Sequence, residues 1–374
     1  MNTKIPVSEP FIDENENRLI TEALSKKAIS GYFGEHIAKF ENDFARYSDC
    51  SHGVATNSGT TALHLAVSAL PISQGDEILI STLTNMATFF AAVYQGVKPI
   101  PVDIDLSTYN INPSLIEEKI TAKTKAIIVV HLFGHPVDMN PIIDIAKKHN
   151  LYLIEDCAQS HGATYVGKKV GSFGHFGCFS FYANKIITTG EGGMVTTNDP
   201  KLAERVRSLK GLAFGDKNKF MHKDVGYNYR MPNLQAAIGC AQLGKIEDII
   251  LCKRRLAANY YERLKDIADL ILPSEKAYAR NVYWMYHIRI LGQKSNKRDL
   301  LMKKLLEMGI ETREGFIPYN LQEIFINRGW TKPGDCPRAN EVAYSTFYLP
   351  SSPTLSEDEA DRVCTGLISV LKSI

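Results

Sequence analysis

Short apolar runs without polar interruption restrict the fold of this chain more than any other feature of its sequence. Because a strand that is apolar at every position needs cover on both faces, such runs are typical of a sheet between two helical layers. Helical patterns such as the one at residues 140–150 separate them, so we predict an α/β fold with a mostly parallel sheet. Ligands of such sheets bind at the carboxyl ends of the strands. The runs occupy residues 77–81, 99–104, 126–134, 151–157 and 178–182.

The pattern changes after residue 235, within one long helical stretch that extends from Asn233 toward Pro273 and joins two parts of the chain. Shorter strand and helix patterns follow it. We therefore predict a large domain over residues 1–250 and a smaller C-terminal α/β domain over residues 251–374. The elements predicted in the smaller domain are strands at 283–290 and 310–313 and helices at 297–308 and from Ser356 onward.

Charge and cysteine usage exclude several classes of function. The 374 residues contain 43 basic and 41 acidic side chains, a balance that predicts no surface for nucleic acid or an anionic membrane. Asp216 and aromatic residues interrupt the lysine-rich segment 210–223, which we interpret as a solvated loop. Seven dispersed cysteines without a C-x-x-C pair indicate neither a disulfide framework nor a zinc site. No apolar run approaches the ~18 residues that span a bilayer, and we expect a soluble, cytoplasmic protein.

Two segments at strand ends carry candidate catalytic groups. Lys185 follows the run at 178–182 and precedes a glycine-rich turn, where the backbone can approach a planar ligand closely. A lysine with a deprotonated amine can hold an aldehyde cofactor as a Schiff base. Asp156 lies in the preceding run and can keep a pyridine nitrogen protonated, although a helix cap or a surface acid fits the same pattern. Gln159 and His161 follow closely enough to reach a ring hydroxyl and a reacting carbon.

A third segment, residues 57–60, opens an amphipathic helix and contains Gly59 and Thr60. Free N–H groups and the positive end of the helix dipole suit such a turn to a phosphate group. Helix capping alone also explains the turn. Together the three segments place a phosphate site, an acid and a lysine in that order along the chain.

Longer motifs surround these residues: SGTTALHLA, GDEILISTLT, KAIIVVHLFGHPVDM, IEDCAQSHGA, FSFYANKIITTGEGGMVTTND and GYNYRMPNLQAAIGCAQL. In these motifs the chain resembles the DegT-type sugar aminotransferases along nearly its whole length. That family depends on pyridoxal 5'-phosphate (PLP) and has PLP fold type I. Within the family, NKIITTGEGGM and VYWMY are similar to the perosamine synthases. The resemblance implies transfer of an amino group from L-glutamate to a keto-sugar, here a nucleotide-linked 4-keto-6-deoxy sugar used for surface polysaccharide.

The resemblance also implies roles for individual residues. Lys185 would carry the cofactor and move protons, Asp156 would pair with the pyridine nitrogen, and Gln159 would bond the phenolic oxygen. No metal is implied. The phosphate contacts would come from Gly59, Thr60, Ser180 and, across a homodimer with shared active sites, Asn228.

Two departures from the family pattern lie near the substrate. Asn85 stands where an aromatic residue usually stacks on the cofactor ring, so either Asn85 packs edge-on or Phe89 or Phe90 replaces it. Tyr319 and Asn320 stand where a histidine is expected. The residues that we assign to the substrate are His161, Arg313 and Tyr319.

Three other functions remain open. A PLP-dependent sugar dehydratase of this family has histidine in place of the lysine, so Lys185 argues against that reaction. A regulator without catalysis would not need the lysine, the acid and the phosphate turn together. The same transamination on a small phosphorylated ketone, such as a triose phosphate, would differ only in its substrate.

Overall fold

A computed structural model of the chain describes residues 4–215, 218–222, 224–291 and 295–374. Asp216, which lies in the lysine-rich segment 210–223 that we predict to be a loop, is outside the described residues. The helices are α1 (Glu14–Ser25), α2 (Glu35–Tyr47), α3 (Gly59–Ser68), α4 (Ala87–Val93), α5 (Met139–Lys148), α6 (Pro200–Lys210), α7 (Asn233–Gly244), α8 (Ile246–Leu264), α9 (Ser295–Glu307), α10 (Glu323–Ile326), α11 (Pro337–Ala343) and α12 (Glu357–Ser373). None of the described helices is long and apolar enough to cross a membrane.

The strands are β1 (His52–Thr56), β2 (Glu77–Ser81), β3 (Lys98–Val102), β4 (Thr124–Val130), β5 (Tyr152–Asp156), β6 (Thr164–Tyr165), β7 (Lys168–Lys169), β8 (Phe176–Ser180), β9 (Gly193–Thr197), β10 (Leu270–Ile271), β11 (Ala279–Arg280), β12 (Tyr286–Ile290), β13 (Arg313–Glu314) and β14 (Thr346–Leu349). Seven of them form the main sheet in the order β1-β9-β8-β5-β4-β2-β3. Strands β3, β2, β4, β5 and β8 pair in parallel, and β9 pairs antiparallel with both of its neighbours. The predicted α/β fold with a mostly parallel sheet is confirmed.

Helices cover both faces of the main sheet, which explains the apolar runs along its strands. Along β4, Ala126 and Ile128 pack into the cluster under α3, whereas Ile127 and Val129 pack with α5 on the other face. All four side chains are fully buried. Because burial of an aliphatic side chain contributes about 1.5–3 kcal/mol, both faces of such a strand stabilise the fold.

A second, four-stranded antiparallel sheet, β10-β12-β14-β13, packs against α8, α9 and α12. Its apolar core also includes Ile5 from the beginning of the chain, which pairs with Ile310. The predicted boundary near residue 250 lies inside α8 and stays a prediction.

The expectation of one continuous helix from residue 233 onward was wrong. The chain breaks between α7 and α8 at Lys245, whose φ of −120° and ψ of 13° leave the helical region. The Lys245 ammonium lies 2.7 Å from the Glu16 carboxylate and 2.9 Å from that of Asp13. These ion pairs fix the turn between α7 and α8 to the beginning of α1.

Candidate functional site

A cavity of about 200 Å³ opens where the carboxyl ends of β5 and β8 meet the beginning of α3. This is the edge of the sheet at which a parallel α/β fold binds ligands. The predicted site residues that line the cavity are Gly59, Thr60, Asn85, Asp156, Gln159, Ser180 and Lys185.

Lys185 lies in a turn just after β8, in which its N–H donates to the Tyr182 carbonyl at 2.9 Å. Its Nζ atom lies 4.1 Å from the centroid of the Trp284 ring. Burial lowers the pKa of Lys185 to about 8, and the charge of Asp156 partly opposes this change. The lowered pKa increases the unprotonated fraction of the amine near neutral pH, and only that form is a nucleophile for a carbonyl carbon.

Asp156 ends β5 with its carboxylate almost fully buried. One oxygen accepts a hydrogen bond from the Thr88 hydroxyl at 2.8 Å, and the other accepts one from the Ala158 N–H at 3.0 Å. Burial raises the pKa of Asp156, while these hydrogen bonds lower it. A positively charged ligand atom beside the carboxylate would keep it ionised, and a protonated pyridine nitrogen is such an atom.

The first turn of α3 lines one end of the cavity. Ser58 caps the helix through a reciprocal pair of hydrogen bonds with Thr61. The N–H groups at the beginning of a helix lack intrahelical partners, so those of Gly59 and Thr60 can bind an anion. A Cβ atom at Gly59 would lie 2.6 Å from the Cβ of Ser180, which explains why glycine stands at this close contact between α3 and β8.

The orientation of the Gln159 amide is set by the backbone. Its Oε1 atom accepts a hydrogen bond from the Phe133 N–H at 2.8 Å. Phe133 has a φ of 55°, a conformation that costs a non-glycine residue roughly 1–3 kcal/mol. With its oxygen held in this way, Gln159 keeps its NH₂ group as the donor for an oxygen of a ligand.

His161 is fully buried and packs against the rings of Phe44, Phe179 and Phe181. Burial, and then the charge of Lys185, lowers its pKa to about 3. It is therefore neutral at physiological pH. The structure places it behind the cavity wall rather than among the lining residues.

Tyr319 also lies outside the cavity. Its fully buried ring stacks on Phe89 and Phe325, with centroids 4.3 Å apart in both pairs. Phe89 is thereby committed to the core, and Phe90 does not line the cavity. The alternative in which one of these two phenylalanines stacks on the cofactor ring was therefore wrong. Asn85 remains at the cavity wall, with its Oδ1 atom bonded to the Ala87 N–H at 2.9 Å.

Arg313 and Asn228 are both exposed and do not reach the cavity of their own chain. Asn228 lies in an extended segment whose backbone pairs with Gly211. It does not cap the helix that follows, since α7 begins after Pro232 without any side-chain cap. An exposed asparagine is free to contact a neighbouring subunit.

Sequence reasoning missed several residues of the site. Tyr182 and Glu191 line the cavity and flank Lys185, so their position in the same motif could have indicated them. Thr88 and Trp284 had no comparable signal. They lie far from Asp156 and Lys185 along the chain, and only the fold brings each pair together.

The arrangement fits PLP group by group. The Lys185 amine suits its aldehyde, the buried Asp156 carboxylate suits its pyridine nitrogen, and the beginning of α3 with Ser180 suits its phosphate. Fold and site together define a PLP-dependent enzyme of fold type I.

Comparison with known proteins agrees with this class. Residues 10–368 match the model of the DegT/DnrJ/EryC1/StrS aminotransferase family, and the chain belongs to that family. Its cofactor is therefore PLP, and it is an aminotransferase.

The chain is similar to relatives over nearly its full length. It is 40% identical to a GDP-perosamine synthase of Caulobacter vibrioides, with 98% of each chain covered. It is 41% identical to a GDP-perosamine synthase of Escherichia coli O157:H7, with 97% of each covered. Among solved structures, S. venezuelae DesV in complex with a ketimine intermediate matches with a TM-score of 0.89 and 32% identity, covering 97% of this chain and 98% of that one.

Proposed function

We propose that this aminotransferase moves an amino group from L-glutamate to the keto group of a GDP-linked 4-keto-6-deoxy sugar. The observation that carries the proposal is the cavity in which a lysine with a lowered pKa and a buried aspartate lie beside a helix N-terminus. The two relatives named GDP-perosamine synthase support the choice of sugar, because their similarity extends over nearly the whole chain.

The residues of the cavity divide the work of transamination. Bound PLP supplies an electron sink that carries the amino group from donor to acceptor. The Nζ atom of Lys185 moves the proton at the carbon that gains or loses the amino group. Asp156 holds positive charge at the pyridine nitrogen, and Gln159 donates from its amide to the ring oxygen. The N–H groups of Gly59 and Thr60 anchor the phosphate.

An assay with a panel of keto compounds tests the proposal. The holoenzyme is mixed with L-glutamate and, in separate reactions, GDP-4-keto-6-deoxymannose, a dTDP-linked 4-keto-6-deoxy sugar and a triose phosphate, and 2-oxoglutarate release is followed. The GDP sugar should give the highest kcat/KM, and Lys185→Ala protein should give none. The proposal fails if the triose phosphate is preferred, or if mass spectrometry shows that the GDP sugar becomes a deoxy keto sugar with release of ammonia, as in a dehydratase, rather than an amino sugar.

The proposal includes a homodimer in which Asn228 of each chain reaches the phosphate site of the other. Its exposure and its position outside the cavity of its own chain support this arrangement. Two identical subunits that exchange the same residue form a closed two-fold interface.

A further inference from the structure

The indole ring of Trp284 lies against the cofactor lysine. The ring is 4% exposed, and its centroid is 4.1 Å from Nζ of Lys185. Tryptophan is the side chain that attracts a cation over its face most strongly. The contact therefore fixes the end of a side chain that would otherwise sample many rotamers.

The same ring is also bound to the backbone beside the lysine. The Trp284 Nε1–H donates to the carbonyl of Asn184 at 2.7 Å. The face of the indole thus contacts the Lys185 amine while its edge holds the preceding peptide group. A ring held at both places cannot rotate away without breaking a hydrogen bond in a buried setting.

A group from α8 and the conformation of the preceding residue fix the backbone of Trp284. The Nζ atom of Lys253, on α8, donates to the Trp284 carbonyl at 3.1 Å and to the Ser351 carbonyl at 2.6 Å. Just before Trp284, Tyr283 has a φ of 48°, which is rare for a side chain of its size. Strained backbone of this kind persists only where the surroundings impose it.

We propose that Trp284 is a positioning residue, which holds the side chain of Lys185 toward the cofactor from the side of the second sheet. In forming its bond to PLP, the unprotonated Lys185 amine adds to the aldehyde carbon, and loss of water leaves a C=N bond. The nitrogen can be cationic before and after this step, so the attraction to the ring persists in both states. The advantage is that the lysine is already ordered before it bonds. A free lysine side chain would lose conformational entropy on bonding, which would weaken PLP binding.

A double-mutant cycle on PLP affinity tests the proposal. Apo-protein is titrated with PLP for four proteins: wild type, Trp284→Leu, Lys185→Ala and the double variant. Trp284→Leu should weaken PLP binding about tenfold when Lys185 is present. It should have no effect in the Lys185→Ala background, where phosphate and ring contacts alone hold the cofactor. Trp284→Phe retains an aromatic face and should weaken PLP binding by less than Trp284→Leu does. It replaces Trp284→Leu in the cycle if the leucine variant does not fold.

Trp330 provides the matched control, since it is the only other tryptophan of the chain. Its half-buried ring stacks on Phe325 and makes no described contact with Lys185. Trp330→Leu should show no coupling to Lys185→Ala. Equal losses of affinity for Trp284→Leu in both backgrounds would reduce Trp284 to a packing residue, and no loss in either would also overturn the proposal. Because PLP is the only ligand, the result is independent of the sugar substrate.

Discussion

Burial shifts the pKa values of the two ionisable groups at the centre of the cavity in opposite directions. It lowers the pKa of Lys185 to about 8 and raises that of Asp156, so it favours the neutral form of each. The charge of each group opposes this shift in the other. When the Lys185 amine is unprotonated, Asp156 lacks that positive charge nearby, and a protonated pyridine nitrogen would replace it.

The hydrogen bond from Thr88 lowers the pKa of Asp156. Thr88→Val removes the hydroxyl that donates to Asp156, which raises the pKa of the carboxyl further and weakens its hold on a cation. We expect kcat to fall about tenfold. The acidic limb of the pH profile of kcat should move to higher pH, because the carboxylate is then protonated earlier as pH falls.

Thr88→Ser keeps the hydroxyl and serves as the control for that prediction. It should retain most of the activity and the original acidic limb. An unshifted limb in the valine variant, or an equal loss in the serine variant, would show that the hydroxyl does not act through Asp156.

Sequence reasoning located Asp156 and Lys185 because each lies at the end of an apolar run. Strand alternation explains why Asp156, rather than its neighbour Glu155, reaches the cavity. Glu155 points to the opposite face and bonds His131 at 3.1 Å. The Thr88 contact could not be predicted, because it joins residues 68 positions apart that only the parallel sheet brings together.

At the scale of elements, the apolar runs predicted the parallel strands because burial on both faces leaves a local pattern in the sequence. The break between α7 and α8 left no such pattern. Apolar spacing continues across it, and the ion pairs of Lys245 with Asp13 and Glu16 come from a distant helix. Tertiary contacts of this kind override local helical periodicity.

Lys253 ties α8 to the ends of two other segments and makes stability depend on pH. Burial lowers its pKa from 10.5 to about 7. Between these two values the unfolded chain binds more protons at this site than the folded chain does. The free energy of unfolding should therefore rise with pH above 7, at up to ~1.4 kcal/mol per pH unit from this group.

Urea unfolding at pH 7, 8 and 9 measures this contribution. Wild type should gain stability with pH relative to Lys253→Met, which has no amine to titrate. Lys201→Met, at an exposed lysine, should follow the wild-type curve. If wild type and Lys253→Met gave parallel curves, the amine would not be titrating in this range.

In the whole molecule, we expect each active site to contain residues of two chains. Mixing inactive Lys185→Ala with inactive Asn228→Asp protein should form heterodimers in which one of the two sites carries neither change. Activity should recover in proportion to the heterodimer fraction. Absence of recovery, with subunit exchange shown by mass spectrometry, would place both residues in the same site.

Borohydride reduction of the holoenzyme shows whether Lys185 bonds the cofactor. Reduction converts a C=N bond into a stable amine, which peptide mass spectrometry then locates. We predict a phosphopyridoxyl group on the peptide that contains Lys185 and on no other lysine, with the label absent from Lys185→Ala protein. A label on a different lysine, or none on a holoenzyme that contains PLP, would show that Lys185 does not bond the cofactor.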